Sequence, residues 1–126
     1  MAGLSRADTL QEADMEDRIE TGWLFDFYGP LLTRNQREML ELWCEEDLSM
    51  SEIAARRGVS RQGICEAIHT AQSRLRRYEE QLGLLGRYRR LTDGLAQALQ
   101  SLEGVESAPT DTAREILTRL LTEEEV

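Results

Sequence analysis

Ser49-Met-Ser-Glu-Ile-Ala-Ala-Arg-Arg-Gly-Val-Ser-Arg-Gln-Gly-Ile-Cys-Glu-Ala-Ile68 is the stretch whose reading decides the fold. Ser49 and Glu52 have capping-box spacing, in which a hydroxyl and a carboxylate satisfy the orphan amides of a helix start. Ile53 and Ala54 supply the buried face of a short helix, and Gly58 supplies the left-handed backbone that ends it. Val59 is placed to plug the corner. Ser60 then caps a second helix whose first turn exposes Arg61 and Gln62. A generic helical hairpin needs only the glycine stop and the serine start. Here the cap, small residue, glycine, plug and second cap all fall at helix-turn-helix offsets, where the first helix braces and the second enters the major groove.

Working outward, the length of 126 residues suits one helical domain with tails. No apolar run approaches the ~20 residues that cross a bilayer, and Met1 to Asp17 has no signal-peptide pattern. The expectation is a cytoplasmic protein that does not enter the membrane. Cys44 and Cys65 lack metal-site spacing and read as buried or half-buried thiols rather than a disulfide.

The net charge of −9 opposes phosphate binding, but it is unevenly distributed. Met1 to Met50 has four arginines against twelve acids, a balance of −8. Ser51 to Arg90 has nine arginines against four acids, a balance of +5, and Leu91 to Val126 returns to −6. The chain has no lysine. The positive charge therefore lies on the helix-turn-helix and its extension, as guanidinium forks suited to phosphates and guanine edges.

Upstream, Ser5 to Thr21 reads as a polar, acidic, flexible or fraying helical lead. Trp23-Leu-Phe-Asp-Phe-Tyr28 is too compact for a base-stacking platform and reads as core anchors on a first helix that Gly29 and Pro30 end. Thr33 with Gln36 is a second capping box, opening a helix to about Glu45 with Met39, Leu40, Leu42 and Trp43 on its packing side and an Arg37–Glu41 pair outside. Asp47 and Leu48 turn the chain into the motif. Downstream, Ile64, Ile68, Ala71, Leu75, Tyr78, Leu82 and Leu85 form a heptad stripe longer than the motif's own core requires. Gly83 and Gly86 are expected to break or bend it. The next helix runs from about Tyr88 to Leu102 with Leu91, Leu95, Leu99 and Leu102 on one side. The stripe is expected to fold back on that helix and, in part, to form a two-fold homodimer. Glu103 to Pro109 reads as a linker, and Thr112 opens a short amphipathic helix with an acidic tail.

These features specify an all-α fold: a trihelical helix-turn-helix core, a long C-terminal extension of the recognition helix, and a helical hairpin. The expected divisions are an acidic, flexible lead over 1–21, the helix-turn-helix domain with its extension over 22–103, and a linker with a short helix over 104–126. The base-reading candidates are Ser60, Arg61, Gln62, Glu66 and His69, with Arg56, Arg57 and Arg76 for the phosphate backbone. Gln62 suits adenine, Arg61 guanine or phosphate, and Glu66 a cytosine amine. Arg74, Arg76 and Arg77 suit backbone contacts or ion pairs between helices, a solvated face being the plainer alternative. His69 has no nucleophile or carboxylate at catalytic spacing, and no phosphate-cradling loop or metal motif exists. No catalytic residue, cofactor or metal is expected, and a helical adaptor for protein or RNA is the rival to DNA binding.

Leu24-Phe-Asp-Phe-Tyr28, Leu31-Leu-Thr33, Gln36, Leu48-Ser-Met-Ser-Glu-Ile-Ala54, Gly58-Val-Ser-Arg-Gln62 and Tyr78-Glu-Glu-Gln-Leu82 together resemble the YlxM family, over about Gly22 to Arg90. These are small bacterial helix-turn-helix proteins similar to sigma-factor region 4. The resemblance implies an all-α fold, dimers, and a regulatory role beside the signal recognition particle, to which gene neighbourhood links the family; the adaptor alternative would contact that particle's protein or RNA. Gly63 departs from the family's usual Ala, at about 1 kcal/mol of helix propensity. The acidic N-terminal extension and the tail beyond Arg90 are also longer than usual, and Met15 aligns with a typical family start.

Overall fold

The computed structural model describes residues 6–123, with side chains from residue 14 onward. The first five positions of the acidic lead and the last three of the acidic tail lie outside the described residues. Among the described residues all regular structure is helical. The chain divides into two compact units, Met1–Leu82 and Gly83–Val126.

In the first unit, α1 spans Arg6–Tyr28 and so begins well before the boundary read at Gly22. Its last turns supply Leu24, Phe25 and Tyr28 to the core, while Trp23 stays at the surface. The segment ahead of Gly22 is held by polar contacts that hydrophobic periodicity does not register. Thr21 and Gln72 are both buried, and Gln72 Nε2 donates to Asp17 Oδ2 at 2.8 Å and to Thr21 Oγ1 at 3.0 Å. A short 3-10 turn, Gly29–Leu31, then carries Pro30 in its first turn, where a missing amide costs nothing.

The Thr33–Gln36 capping box forms and opens α2, Arg34–Leu40. The ion pair on this helix is Arg34 Nε to Glu38 Oε1 at 3.1 Å. The helix then widens into a π turn, Glu41–Glu45, which seats Trp43 in the core at 1% exposure. Asp47 turns the chain with a φ of +57°, a left-handed conformation that Asp tolerates better than most residues.

The Ser49–Glu52 box opens α3, Met50–Arg57, and Gly58 ends it at φ +68°. Ser60 Oγ accepts from the Gly63 amide at 3.0 Å and caps α4, Arg61–Leu82. Val59 does not plug the corner: it is 51% exposed, and the inter-helix space is filled by Ile53 and Ala54 from α3 with Ile64 from α4.

Helix α4 packs against α1, α2 and α3. That packing uses the heptad stripe differently from the sequence expectation. Ile64, Ile68, Ala71 and Leu75 are at most 1% exposed inside this unit, so no second chain can bury them. Burial of each large side chain contributes about 1.5–3 kcal/mol. Tyr28, wholly buried, donates its hydroxyl to Glu79, and Tyr78 donates to the Leu31 carbonyl. Leu82, by contrast, is 56% exposed where the helix stops.

In the second unit, the break falls at Gly83 alone (φ +63°), and Gly86 lies inside α5, Leu84–Ser101. Helix α6, Ala108–Glu123, begins within the expected linker because Ser107 Oγ accepts from the Thr110 amide and starts the turn early. The two helices pack as a hairpin. Arg114 closes it, donating to the carbonyls of Leu102 at 2.8 Å and Val105 at 3.0 Å while pairing with Asp111 at 2.9 Å.

Candidate nucleic-acid interface

A groove-reading helix must expose its first turns while its opposite face is held rigidly. On α4 the held face is the Ile64–Ile68–Ala71–Leu75 row. At 3.6 residues per turn, Gln62, Glu66, His69 and Ser73 lie on the other side, and all four are exposed. Ser60 and Arg61 are exposed at the helix start. All five candidates, Ser60, Arg61, Gln62, Glu66 and His69, are exposed; Gln62, Glu66 and His69 share the side of α4 opposite the held row, while Arg61 flanks it and lines a cleft toward α1.

Two details define the chemistry of that surface. The Ser60 oxygen is committed to the Gly63 amide, which leaves its hydroxyl hydrogen as the group it can offer. Gln62 Nε2 donates to Glu66 Oε1 at 3.2 Å. The carboxylate thus has a donor on its own helix, and an exposed hydrogen bond of this kind exchanges readily with a base edge.

The phosphate candidates separate. Arg56 is exposed, with Nη1 only 3.9 Å from Glu46 Oε1, a loose surface pair. Arg57 is tied down, donating to Asn35 Oδ1 at 3.2 Å and to Glu38 Oε2 at 3.4 Å. Arg76 Nη2 bonds Asp17 Oδ1 at 3.1 Å, extending the Asp17–Gln72–Thr21 network that orients α1 on α4. Arg57 and Arg76 therefore have partners within the fold, Arg76 while half-exposed. Arg74 and Arg77 are exposed and, with Tyr78 and Gln81, line a shallow groove of about 360 Å³ farther along α4. Helical spacing alone could not separate these arginines, because only the tertiary position of Asp17 assigns Arg76 a partner.

A larger cleft of about 610 Å³ borders the start of α4, lined by Asp14, Met15, Arg18, Trp43, Asp47, Ser49, Met50, Ser51 and Arg61. Arg18 organises it, its guanidinium 5.1 Å from the centre of the Trp43 ring and 3.2 Å from Asp47 Oδ1. Sequence reading passed over Arg18 because it lies in a polar stretch without apolar period.

The chain matches, over residues 15–116, the family described as "Putative helix-turn-helix protein, YlxM / p13 like". It is similar to a UPF0122 protein of Symbiobacterium thermophilum, 43% identical over 88 residues that cover 68% of this chain and 82% of that one. A UPF0122 protein of Desulforamulus reducens is 37% identical over 93 residues, covering 74% and 80%. Another from Clostridium botulinum is 38% identical over 89 residues, covering 71% and 82%. The matched region extends past Arg90, where the sequence resemblance ended, and takes in α5 and part of α6.

Proposed function

We propose that this chain, which belongs to the YlxM/p13-like helix-turn-helix family, is a cytoplasmic, non-enzymatic regulatory protein that binds DNA through Ser60, Arg61, Gln62, Glu66 and His69. The observation that carries this reading is the exposure of all five residues at the start and outer side of a helix whose inner side is anchored in the core. Arg56, Arg74 and Arg77 supply phosphate contacts, and Gln62 and Arg61 read base edges. Pairing of two chains would present two such helices to successive major-groove half-sites.

The test is selection of bound fragments from a genomic DNA pool, followed by titration of the winning site. Arg61→Ala and Gln62→Ala are each expected to cost about 1–3 kcal/mol of discrimination at one base position. Binding that is sequence-indifferent, or unchanged by both substitutions, would refute the reading. Light scattering at micromolar concentration tests the pairing, and a monomeric mass would exclude it.

The second reading is an adaptor beside the signal recognition particle, contacting its protein or RNA. It is favoured by the commitment of Arg57 and Arg76 to intramolecular pairs, which leaves fewer cations for a DNA backbone. Copurification of the particle's GTPase or RNA, insensitive to Arg61→Ala, would select it over DNA reading.

A further inference from the structure

The face of α1 turned away from the core carries Met15, Ile19 and Trp23 at successive i+4 positions, exposed by 63%, 56% and 36%. Beside them, between α1 and the π turn, lie two neighbouring depressions that share no lining residue and together form a groove. One part is the cleft of about 610 Å³ containing Met15, Trp43 and Met50. The next part along α1, of about 260 Å³, is lined by Ile19, Gly22, Trp23, Phe25, Asp26, Cys44 and Glu45. From Met15 to Asp26 the groove follows about 17 Å of helix, the length of roughly three turns of a partner helix. Gly22 keeps it open: a Cβ built there meets nothing within 4 Å.

The part lined by Asp26 and Glu45 is acidic. Among the described residues, the first cleft holds Arg18, balanced by Asp14 at 3.7 Å and Asp47 at 3.2 Å, and Arg61 at its α4 end, whereas Asp26 and Glu45 in the second have no cation paired with them. Burial of Asp26 raises its pKa from the ordinary 3.8, so a cation placed beside it recovers solvation that the fold has removed. The surrounding segment, Met1 to Met50, carries the balance of −8. Nucleic acid and anionic lipid are repelled by such a surface. A second copy docking two-fold through this part would bring one acidic surface against another.

We propose that this groove is a docking site for a basic amphipathic helix of a partner protein, with apolar anchors at i, i+4 and i+7 seated between Met15, Ile19 and Trp23 on α1 and the π turn, and flanking Lys or Arg meeting Asp26 and Glu45. This partner surface adjoins the start of α4, where Arg61 lines the same cleft, and does not depend on α4 binding DNA.

Trp23 supplies the readout, since Trp43 is buried. The probe is an 18-residue Trp-free Leu/Lys peptide of amphipathic helical pattern, with a scrambled peptide of the same composition as control. The full chain is expected to bind the amphipathic peptide at low micromolar Kd, with a blue shift of Trp23 emission that fades as salt rises from 50 to 500 mM. Gly22→Leu fills the groove at a position with open space, so the chain still folds, and it should weaken binding at least tenfold. Asp26→Asn with Glu45→Gln, which leaves packing intact, should weaken it several-fold. Equal binding of the scrambled peptide, or indifference to Gly22→Leu, would overturn the proposal. So would sedimentation of the peptide-free protein as a dimer that Gly22→Leu converts to monomer, because the occupant would then be a second copy.

Discussion

Cys44 and the helical glycines show how much a single position depends on its surroundings. Burial, opposed by the Arg18 guanidinium and aided by Glu45, Asp17 and Asp26, pushes the Cys44 thiol from an ordinary 9.0 up to about 12. The folded state therefore keeps its proton at a pH where the unfolded chain has lost it. Stability is unaffected below about pH 9 and declines as pH rises from there toward 12. Urea denaturation across that range should show the decline, and Cys44→Ala should flatten it; a parallel decline in the variant would assign the loss to other groups. Gly22 and Gly63 are both helical, and Ala in place of Gly is worth about 1 kcal/mol of helix propensity. At Gly22 the added methyl group meets open space, whereas at Gly63 it would press the capping Ser60 Oγ at 3.2 Å. Gly22→Ala should raise the unfolding free energy by nearly the full amount and Gly63→Ala by distinctly less, as measured by chemical denaturation.

Within the elements, local chemistry and packing contribute separately. The Thr33 and Ser49 capping boxes and the Ser60 cap are short-range hydrogen bonds, and all three form at the positions their spacing implies. Along α4 the apolar period is uniform but its consequences are not. Leu75 is wholly buried and Leu82 is 56% exposed, although they occupy equivalent stripe positions. Leu75→Ala should cost about 2–5 kcal/mol. Leu82→Ala should cost within about 0.5 kcal/mol, as surface substitutions do. Similar losses at both positions would mean that Leu82 is covered in solution, as a dimer through that end of the stripe requires. The stripe could not reveal this from sequence because periodicity identifies an apolar face without saying what covers it or how far the cover extends.

At the scale of the molecule, charge is segregated along the chain, acidic through the first fifty positions and basic from Ser51 to Arg90. The fold reduces the basic footprint further by pairing Arg57 with Glu38 and Arg76 with Asp17. If DNA is the ligand, log affinity falls with log salt by about 0.9 per phosphate neutralised. Arg77→Ala should therefore reduce that slope by about one unit. Arg57→Ala should leave it nearly unchanged while lowering stability, and titrations at several salt concentrations distinguish the two. A reduced slope for Arg57→Ala would mean that its intramolecular pairs open on binding.

The helix-turn-helix, its caps, its left-handed glycine and the buried row on α4 were legible in the sequence because each depends on residues a few positions apart, with spacings set by helix geometry. The exposure of Gln62, Glu66 and His69 opposite that row followed by complement. Tertiary structure alone decided the rest. It extended α1 back through Asp17 and Thr21 by joining them to Gln72, more than fifty positions away in the chain. It left Val59 in solvent, gave Arg57 and Arg76 intramolecular partners, and placed α1 beside the π turn, where Asp26 and Glu45 line one depression. Such contacts depend on which side chains three-dimensional packing brings within hydrogen-bonding distance, and the period of a single helix carries no record of them.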